Sequence, residues 1–159
     1  MTKMITSNDI LISQHHASVP QAVELGPATQ DSRLVVPGGL FVALPGEHQD
    51  GAAFAADALR RGASGVITTR LPESLEGVTV CDLRPGAPAA ASALKAPVFF
   101  LVADALIALQ RLAAYWRGKS GAEVIGITGS LGKTSTKEMV ASVLSRRYGV
   151  PKSEGNQNN

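Results

Sequence analysis

Gly132-Lys133-Thr134-Ser135 follows Thr128-Gly129-Ser130-Leu131 in this 159-residue chain. One cation, two glycines and several hydroxyls in eight residues suit the binding of phosphate. Backbone N–H groups from Gly129 to Lys133 can converge on phosphate oxygens, and a following helix adds positive potential at its N-terminus. Gly129 and Gly132 permit backbone angles that a Cβ would forbid. Lys133 can reach the terminal phosphates, and the Thr134 hydroxyl can ligate Mg²⁺. The general pattern G-x-x-x-x-G-K-[ST] asks for glycine five residues before Gly132, where this chain has Ile127. The blander alternative, a strand-to-helix turn with an incidental lysine, leaves the density of glycines and hydroxyls unexplained.

Such a loop works only between a strand and a helix. "EVIGIT" (123–128) reads as a buried strand, and a helix is predicted from Lys133 to about Arg147. Its buried face would be Met139, Val140, Val143 and Leu144, with Arg146 and Arg147 at the end that favours cations. Upstream, "GGLFVAL" (38–44), "GVITT" (65–69), "VTVCDL" (78–83) and "VFFLV" (98–102) read as strands between Gly/Pro breaks. A helix is expected between the first two, with Phe54, Ala58 and Leu59 at helical spacing and Gly62 as its stop. This rhythm favours a parallel or mixed sheet covered by helices. Asp104 is placed to cap a further helix, with a stripe of Leu106, Leu109, Leu112 or Ala113, and Trp116. The Pro/Ala-rich stretch 84–97 reads as an exposed connection, and residues 1–22 show no assignable element.

Composition bounds the function classes. Apolar residues make up 45% and charged residues 18%, an ordinary globular balance, and at 4% aromatics the core must rest on aliphatic side chains. A net charge of +2 without a Lys/Arg cluster argues against a nucleic-acid partner. No apolar run is long enough for a membrane span, and no signal peptide is read at the N-terminus. The single Cys81 excludes an internal disulfide and reads as a small buried residue, so a cytoplasmic location is expected. His15 and His16 lack metal-spaced partners and are expected at the surface.

"TGSLGKTSTKEM" resembles the nucleotide loop of the Mur ligases, which spell it T-G-x-x-G-K-[ST]-[ST]. The match runs through Thr128, Gly129, Gly132, Lys133, Thr134 and Ser135, and the missing early glycine is normal for that family. "DSRLVVPGGLFVALPGEHQDGAAFAADALRRGASGVI" (31–67) resembles the N-terminal substrate domain of the members that add the third residue and the terminal dipeptide. "KTSTKEM" and the closing "EGNQNN" are more similar to the D-alanyl-D-alanine-adding members. The resemblance covers roughly residues 23–159.

The resemblance implies a fold and an activity. The expected fold is α/β: an N-terminal substrate domain with a mixed sheet and helices (1–103), a connecting helix (104–119) and the first strand–P-loop–helix unit of an ATPase domain (120–159). The implied cofactors are ATP, held by Thr128, Gly129, Ser130, Leu131, Gly132, Lys133, Thr134 and Ser135, and Mg²⁺ on Thr134. The implied substrates are a UDP-N-acetylmuramoyl-peptide and D-alanyl-D-alanine. Ser32, Arg33, Glu47, His48 and Gln49 match positions that contact the uridine nucleotide in the third-residue-adding relatives. Asn156, Asn158 and Asn159 match a loop near the muramoyl peptide and the ATP phosphates. Read as residues alone, Asp31-Ser32-Arg33 is equally a hydrogen-bonded turn, Glu47-His48-Gln49 a solvated loop and the asparagines a polar chain end. The implied reaction activates a carboxylate as an acyl phosphate, which an amine then attacks. One helix and a polar tail after the loop suggest a truncated piece, inactive alone, and a monomer is expected. Third-residue addition, a UDP-sugar-binding module without turnover and an unrelated P-loop switch or kinase are the competing readings.

Overall fold

The computed structural model describes residues 4–46, 50–73, 76–89 and 93–153. They fall into two compact units, Met1–Gly121 and Ala122–Asn159.

The first unit is built on five short parallel strands. In chain order these are preceded by β1 (Ile5–Thr6), α1 (Ser7–Ser13) and β2 (Glu24–Leu25). There follow β3 (Ala28–Thr29), β4 (Leu40–Val42), α2 (Ala55–Arg60), β5 (Gly65–Thr68), β6 (Thr79–Asp82), β7 (Val98–Leu101) and α3 (Ala105–Ser120). The sheet order is β3-β4-β5-β7-β6 with every pairing parallel. β1 and β2 form a separate antiparallel pair, Ile5 opposite Leu25. Of the parallel or mixed sheet expected from sequence, the structure has the parallel form, with a small antiparallel ribbon besides.

Strand periodicity divides the core between the two faces of the sheet. Leu40 and Val42, Ile67, and Val98 and Phe100 point to one face, where they meet Ile10 and Leu11 of α1 and Ala105, Ala108 and Leu112 of α3. Phe41, Val66 and Phe99 point to the other, against Ala55 and Ala58 of α2. Both faces are covered, which is why the central strands read as unbroken apolar runs. Cys81 lies in the first cluster, and burial pushes its thiol up to about 11, so it is chemically quiet.

Three expectations change. The stripe of α3 is rotated: Ala105, Ala108 and Leu112 are buried with Leu109 packed beside them, while Leu106 is 46% exposed and Ala113 is exposed. Small alanines bring the helix close to the sheet, and this outweighs the size of Leu106. Leu94, inside the stretch read as an exposed connection, is buried in the core. Residues 4–14, left unassigned from sequence, supply β1 and α1. Thr6 caps α1 in a reciprocal box with Asp9, whose carboxylate accepts from the Thr6 backbone N–H at 2.8 Å. The same carboxylate, almost wholly buried, receives the Lys119 ammonium at 2.6 Å. The pair joins α1 to the last turn of α3.

The second unit differs more. No strand forms over residues 123–128, and α4 (Lys133–Leu144) ends before Arg146 and Arg147 and buries none of its residues. Met139 and Val143 are each 69% exposed. A strand needs neighbours for its N–H and C=O groups, and an amphipathic helix needs a sheet to cover. Among the described residues of this unit there is neither.

Truncating Phe99 or Phe100 to Ala is expected to cost about 3–5 kcal/mol each in urea unfolding of the chain. Leu106→Ala is expected to stay within about 0.5 kcal/mol. Equal losses at Leu106 and Phe100 would contradict the rotated packing of α3.

Candidate functional site

Two groups of residues carry the chemistry expected from sequence, one in each unit.

In the first unit the parallel arrangement places every strand's carboxyl end at one edge of the sheet, where ligands of open α/β sheets bind. β3 and β4 are neighbours, with Thr29 opposite Phe41. The chain leaving β3 therefore brings Asp31-Ser32-Arg33 beside the loop that leaves β4. Asp31 caps the 3₁₀ turn Ser32–Leu34 by accepting from the Arg33 N–H at 3.0 Å. It also accepts from the Arg33 guanidinium, Nε at 2.9 Å and Nη2 at 2.7 Å. The side-chain and backbone bonds from Arg33 lower the Asp31 carboxyl to about 2. Arg33 keeps 79% of its side chain in solvent, so an incoming anion can approach the guanidinium although Asp31 already engages its Nε and Nη2. Ser32 is nearly buried against α2. Its hydroxyl helps to lower the carboxyl of Asp57, second to Arg61, the main cause.

The β4 loop returns to the sheet at a fixed point. Pro45 and Asp50 form an antiparallel bridge, the Gly51 N–H donates to the Leu44 carbonyl at 3.0 Å, and Arg70 pairs with Asp50 at 2.7 Å. A Cβ on Gly51 would lie 2.4 Å from that carbonyl, so the close return requires glycine. Glu47, His48 and Gln49 lie outside the described residues, as do Asn156, Asn158 and Asn159.

In the second unit Gly129 (φ 148°) and Gly132 (φ 77°) both hold positive φ. Gly132 is the N-cap of α4 and no side chain caps that helix, so its first-turn N–H groups keep their capacity for an anion. Lys133 opens α4, and its Nζ donates to the Gly129 carbonyl at 2.6 Å. That bond closes Gly129 to Lys133 into a small ring through the ammonium. Leu131 stands 92% exposed at the tip, and Thr128, Ser130, Thr134 and Ser135 are all exposed. Glycine-permitted turns, an uncapped helix start and a folded-back ammonium fit a phosphate chain, and the Thr134 side chain next to Lys133 is exposed. Among the described residues no group of three His, Cys, Asp or Glu side chains could hold a metal by itself. No described helix is long and apolar enough to cross a membrane.

Sequence reasoning missed the Arg70–Asp50 tie and the Asp9–Lys119 pair. Thr6-x-x-Asp9 ahead of an apolar run signals the start of α1; nothing local announced either tie.

Two family models match the chain. One is described as "Mur ligase family, catalytic domain" and matches residues 28–117; the other, "Mur ligase middle domain", matches residues 127–159. A UDP-N-acetylmuramoyl-tripeptide--D-alanyl-D-alanine ligase of a Synechocystis strain is 39% identical over 89% of this chain and 27% of its own length. Most curated relatives carry that name. A UDP-N-acetylmuramoyl-L-alanyl-D-glutamate--2,6-diaminopimelate ligase of Rhizobium meliloti is 34% identical over 90% of this chain and 26% of its own. The crystal structure of the MurF ligase from Thermotoga maritima in complex with ADP superposes with a TM-score of 0.64 at 31% identity, covering 82% of this chain and 26% of that one. The chain thus spans about a quarter of the length of the proteins it matches.

The Asp31 carboxyl should titrate near 2 in a ¹³C chemical-shift series, with its midpoint rising toward 3.8 in Arg33→Ala. Because the folded value is the lower one, the stabilisation it gives is present above pH 3.8 and fades as pH falls through about 2. A midpoint near 3.8 in the parent chain would mean that the turn is not paired in solution.

Proposed function

The chain belongs to the Mur ligase family, and from that premise we propose that it is the substrate-holding and nucleotide-loop portion of an ATP-dependent amide-bond ligase. The reaction is addition of D-alanyl-D-alanine to a UDP-N-acetylmuramoyl-tripeptide in peptidoglycan precursor synthesis, in the cytoplasm. The observation that carries this reading is the Thr128–Ser135 loop. It joins two positive-φ glycines, an uncapped helix start and the Lys133 ammonium within one turn of chain. The family match and the predominance of D-alanyl-D-alanine ligases among the relatives support the reaction.

In this reading residues 1–103 hold the uridine diphosphate end, the helix at 104–119 connects, and residues 120–159 begin the ATP-binding domain. Ser32 and Arg33, with Glu47, His48 and Gln49, meet the uridine nucleotide, and Arg33 complements phosphate charge. The Gly129–Lys133 amides and Lys133 hold the ATP phosphates, and Thr134 offers its hydroxyl to Mg²⁺. Asn156, Asn158 and Asn159 meet the muramoyl peptide with amides that both donate and accept. Bound ATP supplies the phosphoryl group that activates the substrate carboxylate as an acyl phosphate. Lys133 contributes charge where negative charge develops. By itself the chain is inactive.

The diaminopimelate ligase among the relatives favours a second reading, third-residue addition. The Asp31-Ser32-Arg33 turn serves both readings.

Incubating the complete ligase with ATP, UDP-N-acetylmuramoyl-tripeptide and D-alanyl-D-alanine should give the pentapeptide product with ADP and phosphate. Lys133→Ala should lower kcat by about 10²-fold or more. Product formed only from the dipeptide substrate and diaminopimelate would establish the second reading. Activity of Lys133→Ala within a few-fold of the parent would remove Lys133 from catalysis. Residues 1–159 alone should show no turnover.

A further inference from the structure

Lys133 has a companion on α4. Lys137 lies four residues later, one turn along the same side of the helix, where a second ammonium for phosphate would be expected. The structure gives it another partner. Lys137 Nζ donates to the Ser153 carbonyl at 2.6 Å, and its side chain is only 19% exposed. The next residue, Glu138, receives the Lys152 ammonium and lies 3.7 Å from Lys137. Two consecutive residues of the helix thus hold two consecutive residues of the chain that follows it.

The direction of that chain follows from its contacts. Tyr148 N–H bonds back to the Leu144 carbonyl, and Val150 shares a shallow groove with Ala141, Ser142 and Ser145. Lys152 then meets Glu138, and Ser153 meets Lys137. The segment therefore runs antiparallel to α4. At Ser153 it is held by Lys137, which lies four residues, about 6 Å along the axis, from Lys133. Lys137 makes a charge-assisted bond to a main-chain carbonyl, so it fixes the path of the backbone and not merely a side chain.

We propose that Lys137 and Glu138 are positioning residues: together they clamp Val150–Ser153 along α4 and anchor it at the end that carries the phosphate loop, and Lys137 is not a phosphate ligand. The clamp stands on the contacts alone; its effect on turnover rests on the ligase reading above.

Two measurements test this. In the 1–159 chain, tryptic cleavage after Lys152 should speed at least fivefold in Lys137→Met and in Glu138→Gln, with cleavage inside residues 4–121 unchanged. Unchanged cleavage after Lys152 would overturn the clamp. In the complete ligase, Lys137→Met should lower kcat/KM for the muramoyl substrate about tenfold while ATP affinity moves less than threefold. The exchange Glu138→Lys with Lys152→Glu should recover activity to within threefold of the parent, which neither single change should do. A tenfold loss of ATP affinity in Lys137→Met would make Lys137 a phosphate ligand and sink the proposal, as would an exchange no better than its single variants. If the parent enzyme itself fails to ligate, the ligase reading falls and the tryptic comparison still decides the clamp.

Discussion

The bond from Lys133 Nζ to the Gly129 carbonyl is the contact on which the functional account turns. An ammonium at the start of a helix would ordinarily extend into water, where its charge is best solvated. Here it folds back over the loop. The fold-back is possible because Gly129 and Gly132 both adopt positive φ, which brings the carbonyl within reach of a side chain four residues later. The resulting ring gathers one full positive charge and the unsatisfied N–H groups of an uncapped helix into one place.

The first unit solves a different problem. It must present polar loops along one edge while keeping a small core closed, with Phe41, Phe99 and Phe100 as its largest buried side chains. Parallel pairing achieves both: all five carboxyl ends share an edge, and both faces of the sheet are buried by helices. β7 sits between β5 and β6 and sends Phe99 to one side and Phe100 to the other. The site loops are stiffened by charge pairs, Asp31 with Arg33 and Asp50 with Arg70. These pairs are solvent-exposed and individually weak. They organise loop shape more than they stabilise the fold.

What the sequence revealed follows from which forces are local. The strands at 40–42, 65–68, 79–82 and 98–101 were legible because apolar, mostly β-branched or aromatic runs stood between glycine and proline breaks. The Asp104 cap was legible for the same reason, since its hydrogen bond to the Ile107 N–H spans three residues. The phase of α3 was not legible. Residue size suggested a Leu106 stripe, but the distance between helix and sheet is set by Ala105 and Ala108. α1 was hidden by its seven-residue length, although Thr6 and Asp9 mark its start. At 123–128 the residues have strand character, yet strand structure is a property of pairs. The ties of Lys137 and Lys152 had no local signal, because their partners are fixed only once the chain has turned back along α4.

The central claim is that the Thr128–Ser135 backbone forms an anion-binding nest completed by Lys133. It is tested most directly by titrating ¹⁵N-labelled chain with pyrophosphate and following the amide resonances. The account predicts saturable shifts concentrated between Gly129 and Ser135 and abolished in Lys133→Met. Shifts spread over the surface lysines, or identical in parent and variant, would contradict it.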